Sequence, residues 1–295
     1  MKKYITGIIM TLGVVLTLSV LLYPTVSAYI NSHNQSRVVT RYLDDVANMN
    51  GENIQAELNA AREYNKRLLA KQSRFVFTDE ETAEYEKLLD TGRGVMGILA
   101  VDKMNVKLPV YHGTDRGVLQ IGLGHLKGTS LPVGGTGTHA FITGHRGLPS
   151  STLLTHLDKM EEGDLFVIYV LGETLTYQVD NIKTVEHDEK RAMDIDPDMD
   201  YVTLVTCTPY SVNTHRLLVR GHRVESAPVS VRKTAFADAR RLDRPMVILM
   251  LTAPVLPFVA IYTIVKCIKI HREGRALYET YCGGFYSRGL YADPD

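Results

Sequence analysis

The sequence predicts a mainly β domain, built as a closed barrel or a sandwich, between two membrane-spanning helices. Seven segments between Val95 and Glu225 are rich in Val, Ile, Tyr and Thr and are separated by glycine or proline turns, which is typical of short strands. So many strands within about 130 residues fit a barrel or a sandwich. The strands are predicted at 97–101, 106–112, 138–143, 164–171, 175–186, 201–206 and 217–225.

Two uncharged apolar segments predict the membrane helices. Ile5–Leu22 has 18 residues and Val247–Val265 has 19, and a bilayer core of ~30 Å needs ~20 such residues in a helix. Val26-Ser27-Ala28 resembles a signal-peptide cleavage site. Because signal h-regions usually run only ~7–15 residues, an uncleaved anchor is favoured over a signal peptide.

Charge indicates the orientation and excludes one class of partner. Lys2 and Lys3 before the first span indicate that both termini are cytoplasmic and that the domain between the spans is extracytoplasmic. Basic residues flank the second span on both sides, so they do not orient it. The 33 basic and 33 acidic residues of the 295-residue chain cancel without a long basic run, so we expect no nucleic-acid partner.

Helices are predicted ahead of the first strand. Asn53–Gln72 places apolar residues near one helix face. Thr78 followed by Glu81 fits a capping box that opens a second helix through about Leu89.

A single thiol lies between the two spans. Of three cysteines, Cys267 and Cys282 lie at or beyond the second span, so Cys207 has no disulfide partner outside the cell. Such a thiol is either an inert buried residue or a reagent. The thiolate is the nucleophile, and a free thiol of pKa ~8.5 is only about 3% ionised at neutral pH.

Arg216 is the candidate partner of that thiol. Cys207 ends one predicted strand and Arg216 begins the next, so an antiparallel hairpin would bring them level. A guanidinium stays charged and offers a rigid fork of donors to an oxygen that becomes negative. An ordinary ion pair on a barrel rim fits the spacing equally well.

Acyl transfer through sulfur also needs a proton carrier, usually histidine. His145 follows a strand between two glycines, where the ring stays accessible, whereas His139 lies within a strand and is expected to be structural. His215 adjoins Arg216, so alternation sends it to the other face. The candidates between the spans include His112, His125, His139, His145, His156, His187, His215 and His222.

Several ordered segments resemble class C sortases, the pilus-assembling sortases of Gram-positive bacteria. The segments are LPVYHGT (108–114), GHLKGTSLPVGG (124–135), TGHRGLP (143–149), TCTP (206–209) and NTHRLLVRGHR (213–223). The resemblance covers about Val95–Val224 and the layout with two anchors. It implies an eight-stranded barrel with Cys207 as nucleophile, His145 as general acid/base and Arg216 as oxyanion or substrate clamp. It also implies cleavage of an LPxTG-like sorting signal between Thr and Gly, transfer to a lysine amine of the next pilin, and no metal or organic cofactor.

The chain departs from the family in one motif. Class C sortases commonly carry an Asp-Pro-aromatic lid before the barrel, whereas this chain has no proline between Pro24 and Pro109 and no tryptophan. Phe75 and Phe77 are the nearest substitutes. Either they cover Cys207 as a non-standard lid, or they pack the helix start against the barrel.

Six regions follow from these predictions. They are a cytoplasmic start with the first anchor (1–30), a helical extension with the possible lid (31–94), the catalytic barrel (95–226), a linker (227–245), the second transmembrane helix (246–266) and a cytoplasmic tail (267–295). The acidic segment from Lys183 to Asp200 is expected to be a solvated loop, with a border of the substrate groove as the alternative.

Three other functions remain open. A housekeeping sortase would attach proteins to cell-wall precursors, and a membrane-anchored cysteine peptidase would use water as the acceptor. A scaffold that has lost its chemistry is the third. The second span and the long region before the barrel favour the pilin polymerase.

Overall fold

The computed structural model describes residues 2–149, 151–186 and 191–225, and in the C-terminal region residues 257, 260–261, 264–266 and 268–273. The chain divides into two compact units. The smaller consists of Met1–Val26 and Leu242–Asp295, and the larger is Ser27–Arg241.

Four α-helices occur in the described residues up to 225, and the described C-terminal residues are also helical. The four are α1 (Lys2–Asn48), α2 (Gly51–Ala70), α3 (Asp79–Lys87) and the short α4 (Arg116–Ile121). The capping box that opens α3 is confirmed, because Thr78 Oγ1 accepts from the Glu81 amide and the Glu81 carboxylate accepts from the Thr78 amide. A buried stripe that includes Leu58, Ala61 and Leu68 explains why α2 forms at the predicted place.

None of the described helical stretches combines the length and the apolar character that crossing a bilayer requires. The predicted span Ile5–Leu22 lies within α1, where most of its side chains are outside the described residues. The linker 227–245 and most of the predicted span Val247–Val265 and of the C-terminal tail also lie outside them.

Eight strands form the barrel, which confirms the predicted fold class for this part of the chain. They are β1 (Val95–Val101), β2 (Val106–His112), β3 (Leu123–His125), β4 (Thr138–Thr143), β5 (Leu165–Val170), β6 (Glu173–Glu186), β7 (Asp200–Thr208) and β8 (His215–Val224). They close in the order β1-β2-β3-β4-β7-β8-β6-β5. Seven strands match predicted segments within two residues at each end, and β3 is the one that those segments missed.

The residues of β7 that point into the barrel core show which of its side chains lie on the outer face. Val202 and Leu204 of β7 point into the hydrophobic core, and Leu204 pairs with the buried Val219 of β8. Because side chains alternate along a strand, Thr203, Val205 and Cys207 belong to the outer face. The candidate nucleophile therefore lies outside the barrel core.

The segment from Lys183 to Asp200 is less of a loop than predicted. Its first residues, through Glu186, continue β6, and Asp200 begins β7. Asp194 interacts with Arg74, whose guanidinium also donates to the Met193 carbonyl oxygen. The pairing of β6 with β8 extends the sheet into this acidic segment, which explains the difference.

Candidate active site

Cys207 and Arg216 occupy opposed positions on two paired strands. In the antiparallel pair of β7 and β8, Cys207 is the direct partner of Arg216. Directly opposed residues place their side chains on the same face, with Cβ atoms about 4.5–5.5 Å apart. The hairpin predicted from the spacing is therefore confirmed, and the half-buried thiol and the guanidinium share the outer face.

His145 reaches the same level from the other side of β7. Strand β4 runs parallel to β7, with Thr143 beside Val205. The pairing continues past the strand end, because the Gly144 amide donates to the Val205 carbonyl (3.1 Å) and Thr206 Oγ1 donates to the Gly144 carbonyl (2.8 Å). His145 is the next residue, so continuing this register places it level with Cys207, just beyond the end of β4.

The Arg216 guanidinium is oriented by its own hairpin. Nη1 donates to the carbonyl oxygens of Asn213 (3.2 Å) and His215 (3.1 Å). A guanidinium has five N–H donors, and the Nε and Nη2 donors take no part in these two bonds. The side chain is thus fixed at one nitrogen and can present the others to a substrate oxygen.

The other described histidines are held in different places. His139 is buried between the Asp194 carbonyl oxygen and Thr203 Oγ1, each at 2.8 Å from a ring nitrogen, and burial lowers its pKa to about 4. His125 is fully buried against Tyr85, and burial lowers its pKa to about 4 as well. His215 pairs with Thr208, so it lies on the face opposite to Arg216. His187 lies outside the described residues.

A cavity lies further along the outer face from Cys207. The paired residues Val205 and Leu218 follow Cys207 and Arg216 on that face, and Leu218 lines the cavity. It has a volume of about 340 Å³, and its lining also includes His139, Lys183, Asp194, Tyr201, Thr203 and Arg220. A larger cavity of about 520 Å³ lies near Asp200 and Arg223 at the other end of these strands, far from the thiol.

The two candidate lid residues lie in the α2–α3 connection. Phe75 is 42% exposed and lies against Gly128, where an added Cβ would be 2.5 Å from the ring. Phe77 lies between the ammonium groups of Lys71 and Lys127, at 4.8 and 4.4 Å from its ring centre. Both aromatics therefore contact the extension and the β3–β4 connection, and their effect on access to Cys207 stays a prediction.

One residue of this region was missed at the level of sequence. Arg146 follows His145, and its side chain is only 9% exposed. Its sequence signal is position alone, directly after the candidate acid/base. Within the described ranges, no cluster of three or more His, Cys, Asp or Glu residues is arranged to hold a metal ion.

Comparison with known proteins places these elements in a family. Residues 99–224 match the sortase domain. Sortase D of Bacillus subtilis is 28% identical over 138 residues, which cover 46% of this chain and 66% of the Bacillus protein, so the chain spans just under two-thirds of that relative.

Solved structures extend the similarity to class C enzymes. The crystal structure of sortase C1 from Streptococcus agalactiae matches with a TM-score of 0.62 and 49% identity, covering 65% of this chain and all of that one. Sortase C of Streptococcus pneumoniae, whose structure was described for its insights into catalysis and pilin substrate specificity, matches at 0.60 and 41%, with coverage of 65% and 100%.

Proposed function

Since the chain belongs to the sortase family of cysteine transpeptidases, we propose that it is a pilus-assembling enzyme that joins pilin subunits. The observation that carries the proposal is the direct pairing of Cys207 with Arg216, and the register of β4 beside β7, continued to His145, supports it. The similarity to class C sortases supports pilin as the substrate.

The proposed reaction passes through a thioester. Cys207 Sγ, whose thiol proton passes to His145, attacks the Thr carbonyl carbon of an LPxTG-like signal, and Arg216 donates to the oxygen as it becomes negative. The Thr–Gly C–N bond breaks, and His145 gives a proton to the departing amine. A lysine amine of the next pilin then attacks the thioester, the C–S bond breaks, and the amine's proton passes through His145 to restore the thiol.

The outer face of β7 gives an extended substrate a path toward the cavity at Thr203. Thr203 lies four residues along β7 from Cys207, which at ~3.3 Å per residue is ~13 Å. In an LPxTG-like signal the Leu precedes the Thr by three residues, which at the same rise is ~10 Å. A sorting signal bound along β7 with its Thr carbonyl at Cys207 would therefore bring its first residue near the edge of the cavity.

Membrane attachment is part of the proposal. The uncharged segments Ile5–Leu22 and Val247–Val265 support two anchors, and Lys2 and Lys3 support a cytoplasmic N-terminus. The barrel would then face the extracytoplasmic side, where pilins are presented.

We also propose that the segment from Arg74 to Phe77 restricts substrate entry. Arg74 contacts Asp194, which lines the cavity on the outer face, with a distance of 3.5 Å between Nη2 and Oδ1. Movement of this segment away from the barrel would have to break this contact and the contact of Phe75 with Gly128.

Purified pilin with and without its acceptor lysine tests the function. The full-length enzyme should form covalent ladders only with the lysine-bearing pilin. Ladders that do not depend on the lysine would contradict pilin polymerisation, and attachment to a cell-wall precursor would indicate the housekeeping function. Cleaved peptide without amide product would indicate a peptidase. Ladders that persist after Cys207→Ala would indicate a scaffold.

A further inference from the structure

Arg146 connects the loop that carries His145 to the strand that carries Cys207. Its Nη1 donates to Oγ1 of Thr208, the residue after Cys207, at 3.2 Å. Its Nη2 forms an ion pair of 2.6 Å with Asp158 Oδ2. One planar guanidinium thus contacts the nucleophile's strand and the connection that follows β4.

A second contact joins the same two segments. The Tyr210 ring, in the β7–β8 loop, lies 6.0 Å from Arg146 Cζ. It also lies over Gly147, where an added Cβ would be 2.8 Å from Tyr210 Cε2. Gly147 has a φ of +71°, a conformation that side chains with a Cβ rarely adopt. The chain after His145 is therefore seated closely against the loop between Cys207 and Arg216.

The burial of Arg146 argues for more than general stability. Its Nε is buried and has no hydrogen-bond partner among the described atoms. Burying a cation with an unpaired donor is unfavourable, and an apolar side chain of similar volume usually stabilises a fold as well. An apolar residue could not replace the directional contacts of this guanidinium, which fix the segments that carry Thr208 and Asp158 at defined points.

We propose that Arg146 is a positioning residue that holds the His145 imidazole in register with the Cys207 sulfur. The inference rests on the proposed function for the roles of His145 and Cys207. Without the contact from Arg146 to Thr208, the backbone pairing still ends at Gly144, and the turn carrying His145 gains freedom relative to Cys207. Displacements of about 1 Å between reacting groups reduce rates by up to about 100-fold.

The test uses the full-length chain with Arg146→Met, Arg146→Lys and Asp158→Asn. Arg62→Met is the matched control, because it removes an ion pair of 2.8 Å with Glu173 at the other end of the strands. The measurements are kcat and KM for transfer, the melting temperature, and the rate of Cys207 alkylation by iodoacetamide at pH 7 and pH 9.

We expect Arg146→Met to lower kcat by about 10- to 100-fold with little change in KM. Alkylation should slow at pH 7 but not at pH 9, where a thiol ionises without help from histidine. Arg146→Lys should restore only part of kcat, because one ammonium cannot hold both Thr208 and Asp158. Arg62→Met should change neither kcat nor the alkylation ratio, which is the rate of Cys207 alkylation at pH 7 divided by the rate at pH 9.

Unchanged kcat and an unchanged alkylation ratio in Arg146→Met would overturn the proposal, as would a kcat loss that Arg62→Met reproduces at equal melting temperature. If Arg146→Met does not fold, Asp158→Asn and Thr208→Val test the same contacts. If the unaltered enzyme transfers no acyl group, the proposed function fails, but the alkylation ratio still tests the positioning.

Discussion

Cys207 lies directly opposite Arg216 in the pairing of β7 and β8, and this relationship needs no contact from elsewhere in the chain. Eight residues join the two positions, so the hairpin itself sets their separation. The outer face of these strands then presents sulfur and guanidinium side by side. The level of His145 depends instead on β4, which lies against β7 and ends two residues before it.

Replacing Cys207 with Ala should abolish polymer formation and leave the barrel folded. The side chain lies half-buried on the outer face, so its removal should change the free energy of unfolding by less than about 1 kcal/mol. Loss of the nucleophile should lower transfer by at least about 10³-fold. Urea unfolding and a ladder assay measure the two effects. Cys207→Ser is the control that keeps the shape, and residual polymer with either variant would contradict a thioester mechanism.

Replacing Arg216 with Lys should also reduce transfer strongly, although the positive charge remains. The ammonium cannot both bond the Asn213 and His215 carbonyls and reach a substrate oxygen. Loss of a donor to a developing oxyanion costs about 10²- to 10³-fold in kcat. Single-turnover formation of the Cys207 thioester measures this step. Arg223→Lys, at the far end of β8, is the matched control, and equal activity of the Arg216 and Arg223 variants would contradict a role in the chemistry.

Removing both Phe75 and Phe77 should speed labelling of Cys207 if the α2–α3 connection restricts entry. Alanine at both positions removes the ring against Gly128 and the ring between Lys71 and Lys127. The rate of reaction with a thiol reagent measures access. Val76→Ala is the control, because Val76 lies between them and is 68% exposed. Labelling at the unaltered rate in the double variant would show that the aromatics pack the extension without gating the site.

Local pattern determined most of the barrel in advance. The predicted bounds of β2 and β4 agree with the structure to the residue, because Asn or Gly lies directly before and after each strand. Strand β3 escaped prediction because it has three residues and contains Gly124. The region 31–94 was predicted as a helical extension, but the continuation of α1 through Asn48 was not located within it. The buried residues Val39, Tyr42 and Val46 have the i, i+3, i+7 spacing of a helix face, which is the signal that could have located it.

Local sequence pattern predicted only part of the candidate site. The spacing of Cys207 and Arg216 within one hairpin predicted their pairing. His145 was preferred on weaker grounds, its position between two glycines, because the parallel contact of β4 with β7 joins residues about 60 positions apart. Arg146 could not be found in this way, since its partners Thr208 and Asp158 become neighbours only after the loops fold.

Two buried histidines should make the barrel lose stability as the pH falls below neutral. Burial lowers the pKa of His125 and of His139 to about 4, whereas an unfolded histidine titrates near 6.5. Between these values the unfolded chain binds protons that the folded chain does not, so stability is highest above pH 6.5 and falls until about pH 4. Each histidine should account for up to about 3 kcal/mol of this loss.

Urea unfolding of the full-length chain at pH 7.5, 5.5 and 4.5 measures this dependence. Burial raises the pKa of Asp200, which opposes the loss at the acidic end, so the histidine contribution must be isolated by substitution. His125→Gln should flatten the dependence between pH 6.5 and 4, because a neutral amide takes up no proton there. His222→Gln is the control at a half-buried position beside Asp180. If stability falls with pH as steeply in His125→Gln and in His139→Gln as in the unaltered chain, neither ring contributes to the dependence. Both rings would then take up protons in the folded barrel, and the polar contacts of His125 with Tyr85 and Ser130 would need reassignment.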